Sequence, residues 1–507
     1  MTELTDRELA VIERGCAWID DNADELVDLL AELVARPSLP GDEGVHDDEA
    51  TTVGQLWSFL EESADALELD AQPISAEDDY REKTRENVYA VLPGDGDDGF
   101  VATSHTDVVP PGPTADWPDD DPWTMREGVV RRTDDCTVEV AVGDRVETRT
   151  IRDRMDRVWR LRGDSEVAAL VGRGVYDNKA AIVCLVGSAL GLDAALAGTD
   201  ATLGGDVIHG HLVDEEYYQV GAKNMVGWGG GGDWLGDRYD GYDGWTAAVL
   251  EGSYGFVPVV GHRGLVWLTL RAEGESAHAS TPDLGHNAVL GAAKALAETD
   301  TDAYRDAVAA PFVEDALLGE LTVAPGTSIV GGGIERVDPE TGSVERGGLN
   351  TIPDWCEATF DVRIPRWEGF PGSVDAVEDR LCETVVAHAS AAAPDVDFSA
   401  SIGEHDFFPP VALADDREAA ADHPLVRTAS WAAADTVGYD PGLDVAPGVT
   451  DAAFVYHGTH IPTLVEYGPA GALSHEPLEY VERDHVIAGA KAMLKLAVAE
   501  VGVTQRS

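Results

Sequence analysis

The chain has 507 residues, a length that allows two to four domains. It carries 35 basic against 95 acidic residues, a net charge of −60 with a pI near 4.2. That balance excludes a nucleic-acid surface, which needs a basic stripe, and an anionic membrane would repel it.

In chain order, residues 7–35 show helical periodicity through Leu9, Ile12, Ile19, Leu26, Leu29, Leu30 and Leu33. A second helix is expected over Glu49–Leu67. Apolar strand-like runs follow, each closing on polar residues. Gly99–Thr103 ends on Ser104-His105-Thr106-Asp107, Asp206–Val213 on Asp214-Glu215-Glu216, and Thr246–Leu250 on Glu251. With helices such as Lys179–Leu192 between them, this part reads as α/β. Residues 126–168, rich in Arg and Asp with β-like stretches, read as a charged excursion, and the Gly- and aromatic-rich residues 226–245 as an irregular loop, packed on the domain or, as the alternative, contacting a ligand.

From Gly261 the pattern changes. Strand Leu265–Ala272, helix Asn287–Glu298, strands near Thr327–Val330 and Glu357–Arg363, helix Val374–Ala391 and strand Val396–Ile402 give a β-α-β-β-α-β order. Helix Pro424–Val437 and the run Ile461–Tyr467 then resume the first pattern. The expected architecture is a mixed-sheet α/β/α catalytic domain (1–261 and 406–507) carrying an inserted α+β, ferredoxin-like lid (262–405).

Only six basic residues are lysines and 29 are arginines. Sixty excess negative charges repel one another at ordinary salt, whereas the Debye length in molar salt is about 3 Å. With 44% hydrophobic residues and 12 tryptophans, the chain reads as a halophile's protein rather than a disordered one. Five widely spaced cysteines with no CxxC pair suggest reduced thiols and no cysteine metal site. The N-terminus MTELTDRELAVIERG has no apolar signal core, and no stretch approaches 18 uncharged apolar residues. A soluble, cytoplasmic protein is expected.

Acid pairs alone carry little information, since 95 acids give about 18 adjacent pairs by chance. Position carries more. His105, Asp107, Glu215, Glu216 and Glu251 each follow a predicted buried strand, where open α/β sheets build ligand sites. Asp177 precedes a helix, where an N-cap is its ordinary role, and His475 sits in a Gly/Pro loop. Two imidazoles and several carboxylates converging at strand ends describe a catalytic divalent-metal site with N and O ligands.

Seven segments occur in the order of one family's motifs: SHTDVVPPG, GRGVYDNKAA, VDEEYYQVGAKNM, VLEGSYGFVPVVGHRG, GESAHASTPDLGHNAV, LNTIPDWCEATFDVRIP and GVTDAAFVYHGTHIPTLVEYGPAGALSHEPLEYV. From about Glu8 to Ala499 the chain resembles the di-zinc amidohydrolases that include succinyl-diaminopimelate desuccinylase, acetylornithine deacetylase, aminoacylase and glutamate carboxypeptidase. The resemblance implies two divalent metal ions, zinc first, with cobalt or manganese as alternatives. His105 and Glu251 would bind one ion, Glu216 and His475 the other, and Asp177 would bridge them. Asp107 would fix the His105 tautomer. Glu215 would deprotonate the metal-bridging water and pass the proton to the leaving amine.

In the lid, His278 would donate to the tetrahedral oxyanion, from the same chain or from a partner in a homodimer. Asn350 and Arg363 would hold a substrate carboxylate, and His262 and Arg263 would mark the hinge. The sequence departs from the family's usual Met-Lys-Gly after the bridging aspartate, with Asn178-Lys179-Ala180 in its place. The implied reaction is amide hydrolysis of a carboxylate-bearing N-acyl amino acid. A carboxypeptidase or dipeptidase acting on short peptides is the alternative, and a non-catalytic binding relative the second.

Overall fold

The computed structural model describes residues 4–64, 66–74, 83–312, 314–332, 334–337, 344–346, 348–367 and 372–506. They divide into two compact units: 1–261, 413–446 and 450–507 in the first, 262–412 and 447–449 in the second.

The first unit is built on a six-stranded mixed sheet. Its order is Glu68–Ile74, Arg85–Leu92, Asp206–Leu212, Gly99–His105, Thr246–Val249 and Thr463–Leu464. Gly99–His105 runs parallel to both of its neighbours, so three strands end side by side at one edge. Arg85–Leu92 and Gly99–His105 are buried along their whole lengths, as expected of strands covered on both faces. The covering helix Ala180–Leu196 is almost wholly buried, packed between Asp6–Asp21 and Arg483–Val501. Gly187 permits the contact: a Cβ there would lie 2.8 Å from the Ala490 Cβ. The periodic stretch 7–35 is two helices, Asp6–Asp21 and Ala23–Val34, divided at Asn22, whose side chain bonds the Trp18 carbonyl.

The charged excursion is not surface decoration. Arg126–Asp134, Thr137–Val142 and Arg145–Thr150 extend a second six-stranded sheet through Glu166–Val171, Tyr480–Glu482 and Gly471–Ala472. Its helix Asp153–Arg162 is locked on by Arg162, which bonds both carboxylate oxygens of Glu482. The loop 226–245 is packed. Trp234 stacks on Tyr89 at 3.7 Å and donates to Asp70, while Trp245 donates to the Asp97 carbonyl.

The second unit holds a four-stranded antiparallel sheet ordered Thr322–Gly331, Trp355–Ile364, Gly264–Glu273 and Asp397–Phe408. With helices Ala288–Glu298 and Val374–Ala392 it has the ferredoxin-like strand order. Trp355–Ile364 alternates strictly, burying Cys356, Ala358, Phe360, Val362 and Ile364. The expected exit at 405 is too early. The last strand resumes pairing after a register shift, as far as Phe408 opposite Leu265, which carries this unit to Ala412. Its entry falls between Gly261 and His262.

Candidate metal centre

Two sheets supply the site in the first unit. His105 is the last residue of its strand, Glu215 and Glu216 lie just beyond Leu212, and Glu251 lies two residues beyond Val249. Asp177 follows the second sheet's strand Glu166–Val171, and His475 sits in the connection between Gly471–Ala472 and Tyr480–Glu482. Of the run Ile461–Tyr467, only Thr463–Leu464 is strand. The ends of two sheets therefore face one another across the site.

The ligand atoms converge. His105 Nε2 lies 3.2 Å from Asp177 Oδ1 and 3.4 Å from Glu251 Oε1. His475 Nε2 lies 3.3 Å from Asp177 Oδ2 and 3.0 Å from Glu216 Oε2. One oxygen of Asp177 thus faces each imidazole, the disposition a bridging carboxylate needs. Ligand atoms of His105, Glu215 and Glu251 fall within 4.8 Å of one another, and so do those of His105, Asp177 and Glu216.

The electrostatics call for cations. Burial pushes Glu216 up to about 7, with Asp177 adding to the effect, and burial pushes Glu251 up to about 8 against the pull of His105. Burial also raises Glu215 well above its ordinary value. Asp177 is the exception: burial would raise it, but His105 and His475 outweigh that and hold it well below the usual carboxylate range. Glu216 Oε1 is buried without a hydrogen-bond partner. A sulfur-free N/O donor set with an orphaned carboxylate oxygen and crowded anions fits divalent ions of the zinc, cobalt or manganese kind.

Several side chains hold this arrangement. His105 Nδ1 contacts the main-chain carbonyl of Asp107 at 3.0 Å, leaving Nε2 for the site. The Asp107 carboxylate, expected to fix that tautomer, lies 3.4 Å from the same nitrogen. It accepts from the backbone N–H groups of Glu215 and Glu216, both at 3.0 Å, and so clamps the acidic loop. Asn178 Nδ2 donates to Glu251 Oε1 at 3.1 Å and to the Leu250 carbonyl, so the departure from the family motif has a use.

Glu479 was missed at the sequence level. Fully buried, it pairs with Arg173 and accepts from the backbone N–H groups of Gly174, Tyr176 and Asp177. Four residues past His475 in a chain this acidic, it carried no signal that separates it from a surface glutamate.

The remaining expected residues lie in the second unit. His278 and Asn350 come together: His278 bridges Thr351, and Ala279 N–H donates to the Asn350 carbonyl at 2.7 Å. Both are exposed. Arg363 is not with them. It pairs with Leu265 at the far end of the sheet from Trp355, about 27 Å along the strand, and its guanidinium holds both oxygens of Asp361. His262 is buried, and Arg263 donates to the Glu320 carbonyl and the Thr322 hydroxyl.

The profile of Peptidase family M20/M25/M40 matches residues 153–499. A succinyl-diaminopimelate desuccinylase of Stenotrophomonas maltophilia is 26% identical over 476 residues, 91% of this chain and 95% of that protein. Among solved structures, a tripeptidase from Staphylococcus aureus superposes with a TM-score of 0.60 at 16% identity, covering 95% of this chain and 99% of that one. Human carnosine dipeptidase 1 gives 0.57 at 16% identity, covering 97% and 99%. At these identities the structural likeness speaks for the fold.

Proposed function

The chain belongs to Peptidase family M20/M25/M40 and is a metal-dependent hydrolase of amide bonds; from that premise we propose that it removes the acyl group from a carboxylate-bearing N-acyl amino acid. The observation that carries the reading is the placement of Asp177 between His105 and His475, with Glu215 beside the same cluster. His105 and Glu251 would hold one divalent ion, Glu216 and His475 the second, and Asp177 both, with zinc the best match to the donors. Bound there, the two ions would polarise the scissile carbonyl and lower the pKa of a water molecule.

Glu215 takes the proton from the attacking water and returns it to the leaving amine. Its buried setting raises its proton affinity well above that of an ordinary glutamate, the direction a proton shuttle requires. Asp107 keeps the base and the neighbouring ligand in register through their N–H groups. His278 would donate to the oxyanion and Asn350 to the substrate; their adjacency supports a joint role. Arg363 could take a substrate carboxylate only by exchanging it for Asp361.

We read the protein as cytoplasmic, in keeping with its five free cysteines, and as a homodimer through the inserted unit. Leu284, Leu290, Ile329 and Leu349 are exposed on that unit, which supports the pairing.

The test is a panel of N-succinyl and N-acetyl amino acids and dipeptides, assayed in molar salt with added zinc or cobalt. Turnover of the acylated amino acids is expected, with Glu215→Gln lowering kcat by at least about 100-fold. Hydrolysis of dipeptides alone would overturn the deacylase reading.

A further inference from the structure

We propose that Gln219 is a positioning residue for the base Glu215, an inference that rests on the reading of Glu215 given above. Gln219 Nε2 donates to Glu215 Oε1 at 3.1 Å, and Gln219 is only 1% exposed. Gln219 Oε1 is buried with no hydrogen-bond partner among the described residues, so the amide meets the base through Nε2 alone. One oxygen of the base is thereby held, and the other is left for proton transfer.

The backbone supports a purpose for that side chain. Gln219 has φ of 54°, a left-handed conformation that glycine would take without strain. A glutamine in such a position points to a use for its side chain. The turn is closed by Gln219 N–H donating to the Asp214 carbonyl at 2.7 Å, and Asp214 is itself left-handed at 67°.

The turn is anchored from behind. Arg85 Nη1 bonds Asp214 Oδ1 at 3.2 Å and Glu43 Oε1 at 2.7 Å, and all three side chains are fully buried. Glu43 Oε2 in turn accepts from Gly41 N–H. Asp107 thus fixes the main chain of the base, the Arg85–Glu43 pair fixes the turn through Asp214, and Gln219 fixes the carboxylate. The amide carries no proton in the reaction, so its effect is on the aim of Glu215 alone.

The experiment is steady-state kinetics of the full, metal-loaded chain on the N-acyl amino acid hydrolysed fastest in the panel. Gln219→Met keeps side-chain length and removes the donor. It is expected to lower kcat about tenfold, with KM and metal content per chain within about twofold of the parent. Gln219→Glu sets a second carboxylate against the base and should lower kcat by about 100-fold or more. Gln219→Lys restores a donor and should recover most of the kcat lost in Gln219→Met.

A merely structural role would instead appear as lost metal or raised KM, with no rescue by lysine. Either that pattern or parental kcat in Gln219→Met overturns the proposal. Should Gln219→Met fail to fold, parental kcat in Gln219→Glu would overturn it equally. Glu215→Gln, measured beside them, separates the two readings. If it keeps kcat, the base assignment fails; if it loses kcat while Gln219→Met does not, only the role of Gln219 fails.

Discussion

At the scale of single residues, the sheet beneath the site carries two buried histidines, His209 and His211, on one face of the strand Asp206–Leu212. Burial lowers His209 to about 4 and His211 to about 3, with His209 adding to the shift of His211. Both are neutral in the fold, and the unfolded chain binds protons near 6.5. Their contribution is therefore complete above about pH 6.5 and is lost as pH falls towards these depressed values, at about 1.4 kcal/mol per pH unit per histidine. Denaturant unfolding at pH 7 and pH 5 should show this loss, and His209→Leu should flatten part of the slope. An unchanged slope in the variant would contradict the assignment. These histidines were not readable as such, because an imidazole in an apolar run looks the same whether it is a ligand or a neutral core residue. His105, Glu216 and Glu251 were legible because each follows a buried strand. Glu479, Asn178 and Gln219 were not, since their work is to hold other side chains, and only tertiary contact reveals it.

At the scale of elements, the site depends on helices meeting closely behind the sheet. The helix Ala180–Leu196 starts just after Asp177 and runs against Arg483–Val501 with Gly187 at the contact. Gly187→Ala would place a methyl 2.8 Å from the Ala490 Cβ and 3.0 Å from Leu26. The expected cost is about 1–3 kcal/mol of stability, read as a lower denaturation midpoint with an unchanged m-value, as overpacking predicts. A stabilised variant, gaining from the better helix former, would show that the helices can separate at no cost. The strand and helix runs of both units were legible because their periods are strong. The excursion 126–168 shows its β-like stretches but not the sheet they join, because Glu166–Val171 pairs on one side with Arg126–Arg131 and on the other with Tyr480–Glu482, much further along the sequence. The break at Asn22 was likewise hidden inside a continuous apolar stripe.

At the scale of the whole molecule, charge dominates. With −60 on 507 residues, self-repulsion opposes the compact state until salt screens it. Many of the 29 arginines are spent on local pairs, such as Arg132 with Asp156 and Arg162 with Glu482, and these leave the net charge untouched. The thermal midpoint should climb steeply from 0.1 M to about 2 M KCl as the Debye length falls from about 10 Å to 3 Å or less. A midpoint independent of salt would remove the halophilic reading while leaving the chemistry intact.

That chemistry rests on one geometric claim, that Asp177 joins two metal positions. The most direct test is the metal content of dialysed protein, measured for the parent chain and for His475→Ala. Two divalent ions per parent chain are predicted, falling to one in the variant, because His105, Glu251 and Asp177 still make a complete position. One ion or none in the parent, or two in His475→Ala, would contradict the account.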